Sequence, residues 1–417
     1  MPVSKGELED RSFKLGIYFK PTSPINKENL FAGRLAQTQD VVDAINQQGQ
    51  HAVLYGERGV GKTSLANMIL PKLRMPGTEK IAPLVNCMTE DSYADIWKRV
   101  FEEIKFIADR HDIALRANAE DMLREYTGPL ASVISPDEVR RLLWELGQEL
   151  LVVVILDEFD TVEDESTRAM ISDTLKFLSD RTVPATVVLI GVADDVEDVI
   201  SNHQSLERCM LQILMPRMSQ AELEEIVTKG LSGVEMTIED AALHEISQLS
   251  RGLPHYPHLL GLHAGRAALG DGAIHVSKTH VQDAMKEAIK KTQASIQSIY
   301  SKAVTSSRKE ALFPQVLVAC AIANTDDLGW FYPGNVRKPL EKILGREYKV
   351  EAFARHLHGF CEIGRGPVLR KDEESARPRF RFANPLVQPY TLMRGLAEEM
   401  IQEEDVRAIR DRSHLLF

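Results

Sequence analysis

An α/β fold on a parallel sheet, with a helical region behind it, is what the 417-residue sequence predicts, and three observations predict it. The first is "YGERGVGKTS", residues 55–64. Gly56–Thr63 match G-x-x-x-x-G-K-[ST], set between a short apolar run, "HAVLYG", and a helical run, "KTSLANMIL". The second is a pair of unbroken apolar runs, "LLVVVIL" and "VVLIGVA", the pattern of strands covered on both faces of a parallel sheet. The third is the stretch after "MPRMSQAELEEIV", which opens with a Ser219–Glu222 capping box and continues as helices.

Bulk properties narrow the class. Apolar residues make up 44% and charged residues 27%, ordinary values for a globular chain. The apolar runs are too short to cross a bilayer, and "MPVSKGELEDRSFKLG" lacks the apolar segment of a signal peptide. A cytoplasmic protein with no membrane partner is expected. The four cysteines are scattered, without metal-ligand spacing, and read as buried reduced thiols. Net charge is −11 but uneven: residues 301–394 hold 16 Lys or Arg against 10 Asp or Glu, so they carry +6 and the remainder −17. A basic module on an acidic body fits a local nucleic-acid footprint or a docking face for an acidic partner.

The loop defines the chemistry. Gly56, Gly59 and Gly61 let backbone N–H groups, that of Val60 among them, turn inward around phosphates. The helix N-terminus, with Thr63 and Ser64 in its first turn, adds partial positive charge. Lys62 is placed to reach the β- and γ-phosphates, and Thr63 to ligate Mg²⁺. The ligands expected are therefore ATP and Mg²⁺. Asp157, at the carboxyl end of "LLVVVILDEFD", is the second metal ligand. Glu158 beside it is the general base for an attacking water, or else a surface carboxylate. Asp194 ends the strand "ATVVLIGVADD" and either orients water near the γ-phosphate or caps the next helix. Arg208 precedes another apolar strand. It either reaches a neighbouring subunit's γ-phosphate, steadying charge in the transition state, or forms a surface salt bridge.

Helices are expected at about 219–230, 237–250, 254–269 and 278–293, with Pro254 fixing φ at the start of the third. "FAGR" (31–34), GERGVGKT, ILDEFD, LIGVADD and "GLPHY" together resemble the AAA+ ATPases of the origin-recognition and replication-initiator clade, and the related STAND switch ATPases. The resemblance covers about residues 25 to 395. It implies that Gly33, Arg34 and Pro254 help enclose adenine and ribose; a homo-oligomer assembled through Arg208 in trans is expected from that arginine's place before its strand. The division it implies is an N-terminal arm (1–30), a P-loop AAA+ core (31–217), a helical lid (218–294), a winged helix (295–395) and a C-terminal helix or tail (396–417). Two positions depart from the initiators. "GLPHY" puts Pro254 and His255 near the place of their lid arginine, more as in STAND proteins, and Leu35 stands where an acidic residue is usual.

Within the tail, "SSRKEALFPQVLVACAIA", "PGNVRKPLEKILG" and "KVEAFARHLHGFCEIG" read as three helices, and "GPVLRKDEESARPRFRFAN" as two strands around a charged wing. Arg370, Lys371, Arg377, Arg379 and Arg381 are candidates for phosphate contacts, with Arg355 and His358 nearer base edges. Asp372, Glu373 and Glu374 share that wing and suit protein docking instead. Residues 109–138 are a partner-binding insertion or extended helical packing. Two functions are consistent with these residues. One is an ATPase, slow or partner-stimulated, that couples nucleotide state to assembly or recruitment on double-stranded DNA. The other is a STAND-like regulatory switch, as in defence or transposition, acting on a protein effector with little DNA binding.

Overall fold

The computed structural model describes residues 4–73, 78–128, 134–193, 206, 208–306, 311–373, 375 and 377–411. The chain divides into two compact units, one of residues 24–57 and 61–215, the other of residues 1–23, 58–60 and 216–417.

The chain opens with α1 (Lys5–Tyr18), which belongs to the second unit. The first unit runs α2 (Leu35–Asn46), β1 (His51–Gly56), α3 (Lys62–Lys72), β2 (Glu79–Ile81), β3 (Leu84–Asn86), α4 (Tyr93–Arg110), α5 (Ala117–Thr127), α6 (Pro136–Gly147), β4 (Leu150–Asp157), α7 (Glu165–Asp180), β5 (Ala185–Val192) and β6 (Met210–Leu214). The strands form one parallel sheet in the order β2-β4-β5-β1-β6, with β3 also paired to β4. β2 and β3 line the same edge of β4, separated at Pro83, which has no N–H to offer; its carbonyl still accepts from Ile155. The two unbroken apolar runs are the central strands β4 and β5, buried nearly throughout. Helices cover the sheet through regular apolar faces. α4 starts at a Ser92–Asp95 capping box and buries Tyr93, Ile96, Trp97, Val100, Phe101 and Ile104. The described residues of the stretch 109–138 continue this layer. α5 buries Ala119, Leu123 and Tyr126, and Tyr126 packs on Phe101 with ring centroids 5.7 Å apart.

In the second unit come α8 (Gln220–Ser232), β7 (Thr237–Ile238), α9 (Asp240–Ser250), α10 (His255–Gly270), β8 (His275–Val276), α11 (Lys278–Lys291) and α12 (Ala294–Val304), then α13 (Phe313–Ile322), α14 (Pro333–Leu344), α15 (Val350–Gly359), β9 (Leu369–Lys371), β10 (Phe380–Phe382), α16 (Val387–Ala397) and α17 (Glu403–Asp411). The expected helix at 237–250 begins at Asp240, because Thr237 and Ile238 pair in parallel with β8. β9 and β10 form an antiparallel hairpin, and Phe331 adds an isolated bridge to Phe380. The tail expected at 396–417 also differs. α16 starts earlier, at Val387, with Pro389 in its first turn, where a missing N–H costs no helical bond. Ile401 and the start of α17 then fold back onto the same apolar core.

The stretch 1–30 does not form a single arm. α1, capped by Ser4 and Glu7, joins the helices of the second unit. Phe19 sits in a hole lined by glycines: a β-carbon on Gly230 or Gly261 would stand 2.4 or 2.5 Å from its ring. Residues from Pro24 onward belong to the first unit.

Candidate nucleotide site

β1 delivers the chain to the loop at the carboxyl edge of the sheet. Gly56 has φ 145°, and a β-carbon there would lie 2.5 Å from the Met215 carbonyl oxygen. Gly59 (φ 84°) and Gly61 (φ 100°) also take left-handed conformations, and Gly61 is the N-cap of α3. Lys62 is only 8% exposed. Its Nζ donates to the carbonyls of Gly56 (2.8 Å) and Glu57 (3.0 Å), which holds the ammonium inside the loop. Thr63 Oγ1 donates to Asp157 Oδ2 at 2.6 Å. Asp157 is 4% exposed, and its Oδ1 accepts the Glu158 N–H (2.8 Å). Two hard oxygen donors thus meet at one part-buried point, a set that suits Mg²⁺ completed by phosphate and water oxygens. Val60 is buried in the loop.

Glu158 is exposed and has φ 55°, an uncommon backbone for a residue with a β-carbon. Its carbonyl is held by the N–H (3.0 Å) and Oγ1 (2.8 Å) of Thr161, so the turn aims the side chain outward beside Asp157. Asp160 Oδ1 accepts the Val192 N–H at 2.9 Å and ties the end of β5 to this turn. Asp194 lies outside the described residues. Asn86, which the sequence reading missed, stands opposite Asp157 in the β3–β4 register. Only strand pairing reveals it, since its own strand is three residues long.

Other expected residues fall in different places. Ser64 Oγ accepts the Ile25 N–H (3.1 Å), so its hydroxyl holds the entering chain. Gly33 and Arg34 both have positive φ, 64° and 60°, and Arg34 is the buried N-cap of α2. Arg208 is exposed and precedes β6, which runs parallel to β1 with His51 opposite Met210. It therefore stands at the amino edge of the sheet, while the loop is at the carboxyl edge, roughly 20 Å away along the strands. Pro254 belongs to the second unit, as N-cap of α10.

The profile of the Novel STAND NTPase 1 family matches residues 24–317. The chain belongs to this family. The STAND NTPase is also similar in structure to the ORC2 protein of Aeropyrum pernix, solved in ADPNP–ADP complexes, at 16% identity and a TM-score of 0.50, covering 96% of this chain and 98% of that one. A Walker-type ATPase of Pyrococcus abyssi matches at 15% identity and a TM-score of 0.50, over 89% and 98% of the two chains. The Cdc6 protein of Pyrobaculum aerophilum matches at 14% and 0.45, over 93% and 99%. No curated protein matches the chain. The fold is that of the origin-recognition AAA+ ATPases, and the chain is a nucleotide-binding NTPase. No helix among the described residues is long and apolar enough to cross a membrane.

The C-terminal hairpin of this STAND NTPase sorts the expected DNA contacts. Arg355, His358, Arg370, Lys371 and Arg377 are exposed. Arg379 is engaged with Asp372 (2.5 Å) and Asp326 (3.6 Å). Arg381 departs from the expectation of a surface phosphate contact: it is 6% exposed, with its guanidinium 4.5 Å from the ring centroid of Trp330. Arg379 lies over the same ring at 4.9 Å. The indole covers the face of β10 that alternation would have left to solvent.

Proposed function

We propose that the chain is an ATP-hydrolysing switch whose nucleotide state controls assembly or recruitment on DNA. The observation that carries this is the junction of Thr63, Asp157 and Glu158 beside a loop that already encloses Lys62. Thr63 and Asp157 would hold Mg²⁺, which when bound supplies positive charge to the phosphates. Lys62 exchanges its carbonyl partners for phosphate oxygens. Glu158 takes a proton from water as the water oxygen bonds to the γ-phosphorus; the bond to the β–γ bridging oxygen breaks, and ADP and phosphate leave. Arg208 is too far from its own loop to serve it, which supports action in trans in a homo-oligomer. Gly33, Arg34 and Pro254 are proposed around the adenine and ribose, and Asp194 near the water. The free thiols of all four cysteines fit a cytoplasmic setting.

Arg370, Lys371 and Arg377 on the hairpin, with Arg355 on α15, support a winged helix that meets DNA phosphates. A second reading is a slow switch acting on a protein effector, favoured by Arg379 and Arg381 being committed to Asp372, Asp326 and Trp330. Steady-state ATP hydrolysis with and without double-stranded DNA, at low and moderate salt, decides between them. Stimulation that salt weakens, and that Arg370→Glu with Arg377→Glu removes, supports DNA; flat, slow turnover supports the protein effector. Glu158→Gln should bind ATP as before and turn over at least about 100-fold more slowly. Undiminished turnover in that variant would remove Glu158 as the base.

A further inference from the structure

The backbone of Glu158, φ 55° and ψ 32°, lies in the left-handed region that residues with a β-carbon rarely enter. Such a conformation persists where the surrounding structure leaves the chain no other course. Here the surroundings are the next three residues, which form one 3-10 turn, Phe159–Thr161. Each is fastened to a different part of the first unit. Phe159 is 1% exposed and belongs to the apolar core of that unit. Asp160 Oδ1 accepts the Val192 N–H at the end of β5 (2.9 Å). Thr161 is fastened to the residue after β3, since its hydroxyl donates to the Cys87 carbonyl (3.2 Å).

The Thr161 hydroxyl also closes the turn on Glu158. Its proton is shared between two carbonyls, that of Cys87 and that of Glu158 (2.8 Å). The Thr161 N–H donates to the same Glu158 carbonyl (3.0 Å). At the other end of the residue, the Glu158 N–H donates to Asp157 Oδ1 (2.8 Å). Both peptide groups that flank the Glu158 α-carbon are thereby held, one by Asp157 and the other by Thr161. A residue has only two soft backbone dihedrals, so holding both planes fixes the direction of its Cα–Cβ bond.

Cys87 is a firm anchor because the chain is braced on both sides of it. Its N–H donates to the Asp157 carbonyl (2.8 Å). Arg99 Nη1 donates to the Asn86 carbonyl (2.8 Å), and the Met88 N–H donates to Asp91 Oδ2 (2.6 Å). Arg99 pairs with that same carboxylate, which joins the two braces.

We propose that Thr161 is the positioning residue of the general base. By locking the Glu158 carbonyl to the end of β3, it sets the direction in which the Glu158 carboxylate leaves the backbone, and so its reach to the attacking water. Asp160 is the second fastening of the same turn. The proposal rests on the reading of Glu158 as the base. In this role Thr161 exchanges no proton with the water and acts only through Glu158. Valine at this position has nearly the same shape but loses both hydroxyl contacts, whereas serine keeps the hydroxyl.

The experiment is single-turnover hydrolysis of Mg-ATP by the full chain, which resolves slow rates, alongside the Kd of a fluorescent ATP for each variant. Thr161→Val should slow hydrolysis by about tenfold to 100-fold at unchanged Kd, the scale of a small misplacement of a catalytic group. Thr161→Ser should keep most of the wild-type rate. In Glu158→Gln, which already lacks the base, adding Thr161→Val should cost nothing further, because residues that act as one unit are not additive. Full-rate hydrolysis by Thr161→Val overturns the positioning role alone. So does a serine variant as slow as the valine one, a further loss on top of Glu158→Gln, or a loss of rate matched by a loss of affinity. If melting shows that Thr161→Val does not fold, Asp160→Ala carries the test from the β5 side. It should slow hydrolysis at unchanged Kd, and Asp160→Asn, which keeps the acceptor, should not; equal rates in the two overturn the positioning role. Glu158→Gln hydrolysing at the wild-type rate overturns the base and its positioning together, as does a wild type that binds Mg-ATP without hydrolysing it.

Discussion

Lys62, Thr63 and Asp157 show how much the P-loop and the end of β4 settle between them. The ammonium is drawn into the loop by two carbonyls, and the hydroxyl and carboxylate that suit Mg²⁺ already touch. Their positions were legible because the loop motif sets Lys62 and Thr63 and the end of an unbroken apolar run sets Asp157. Ser64 was not legible in the same way, because its partner, Ile25, lies 39 positions earlier. Gly56 is the residue where geometry is least forgiving. Gly56→Ala should destabilise the fold by about 1–3 kcal/mol, since both its φ and the Met215 carbonyl oppose a β-carbon. Thermal unfolding measures this, and an unchanged melting temperature would contradict the assigned packing. Gly59→Ala, with φ 84° but open space, should cost less.

Among the elements, α1 is the one whose place the sequence left open. Its apolar residues look sparse for a packed helix, yet Leu15 and Phe19 are buried because α8 and α10 present glycines to them. Gly261→Ala should therefore loosen α1, and Gly261→Ala with Phe19→Leu should recover part of the loss, as expected for residues in contact. Proteolysis within residues 5–23 reports this; equal protection in the single variant would count against the fit. The contact of Lys20, just after α1, with His258 of α10 has a pH limit. Burial lowers the His258 pKa from 6.5 to about 4, and burial also lowers that of His255. His258 accepts the Lys20 N–H only while neutral. Because its folded pKa is depressed, the stability it contributes is present above pH 6.5 and is lost as pH falls through about 4. Exchange of the 18–23 backbone should rise over that window, and His258→Asn should flatten the rise.

At the scale of the molecule, the separation of Arg208 from its own loop bears on assembly. Lys62→Ala is expected to lose nucleotide but keep Arg208; Arg208→Ala is expected to bind nucleotide but lacks the arginine. Mixed, the two should hydrolyse ATP where neither does alone, because an Arg208→Ala copy would then sit beside an intact arginine. Phosphate release from the mixture measures this, and a mixture as inactive as its components would argue against action in trans. The β9–β10 hairpin also changes meaning at this scale. Arg379 and Arg381 act with Trp330 to shape the hairpin base, so charge reversal belongs at Arg370 and Arg377, where binding can change without unfolding the hairpin.

By itself the sequence determined the P-loop, the central strands and the helices that follow Ser219, because each rests on local spacing: glycines at a tight loop, unbroken apolar runs, capping boxes, 3.6-residue periods. Only the tertiary structure decided the rest. It placed Asn86 beside Asp157 through strand register, buried Arg381 under an indole 51 residues away, turned Ser64 toward Ile25, and seated α1 in a glycine-lined hole. Those outcomes depend on contacts between residues far apart in the chain, and no local period records which distant surface will cover a given side chain.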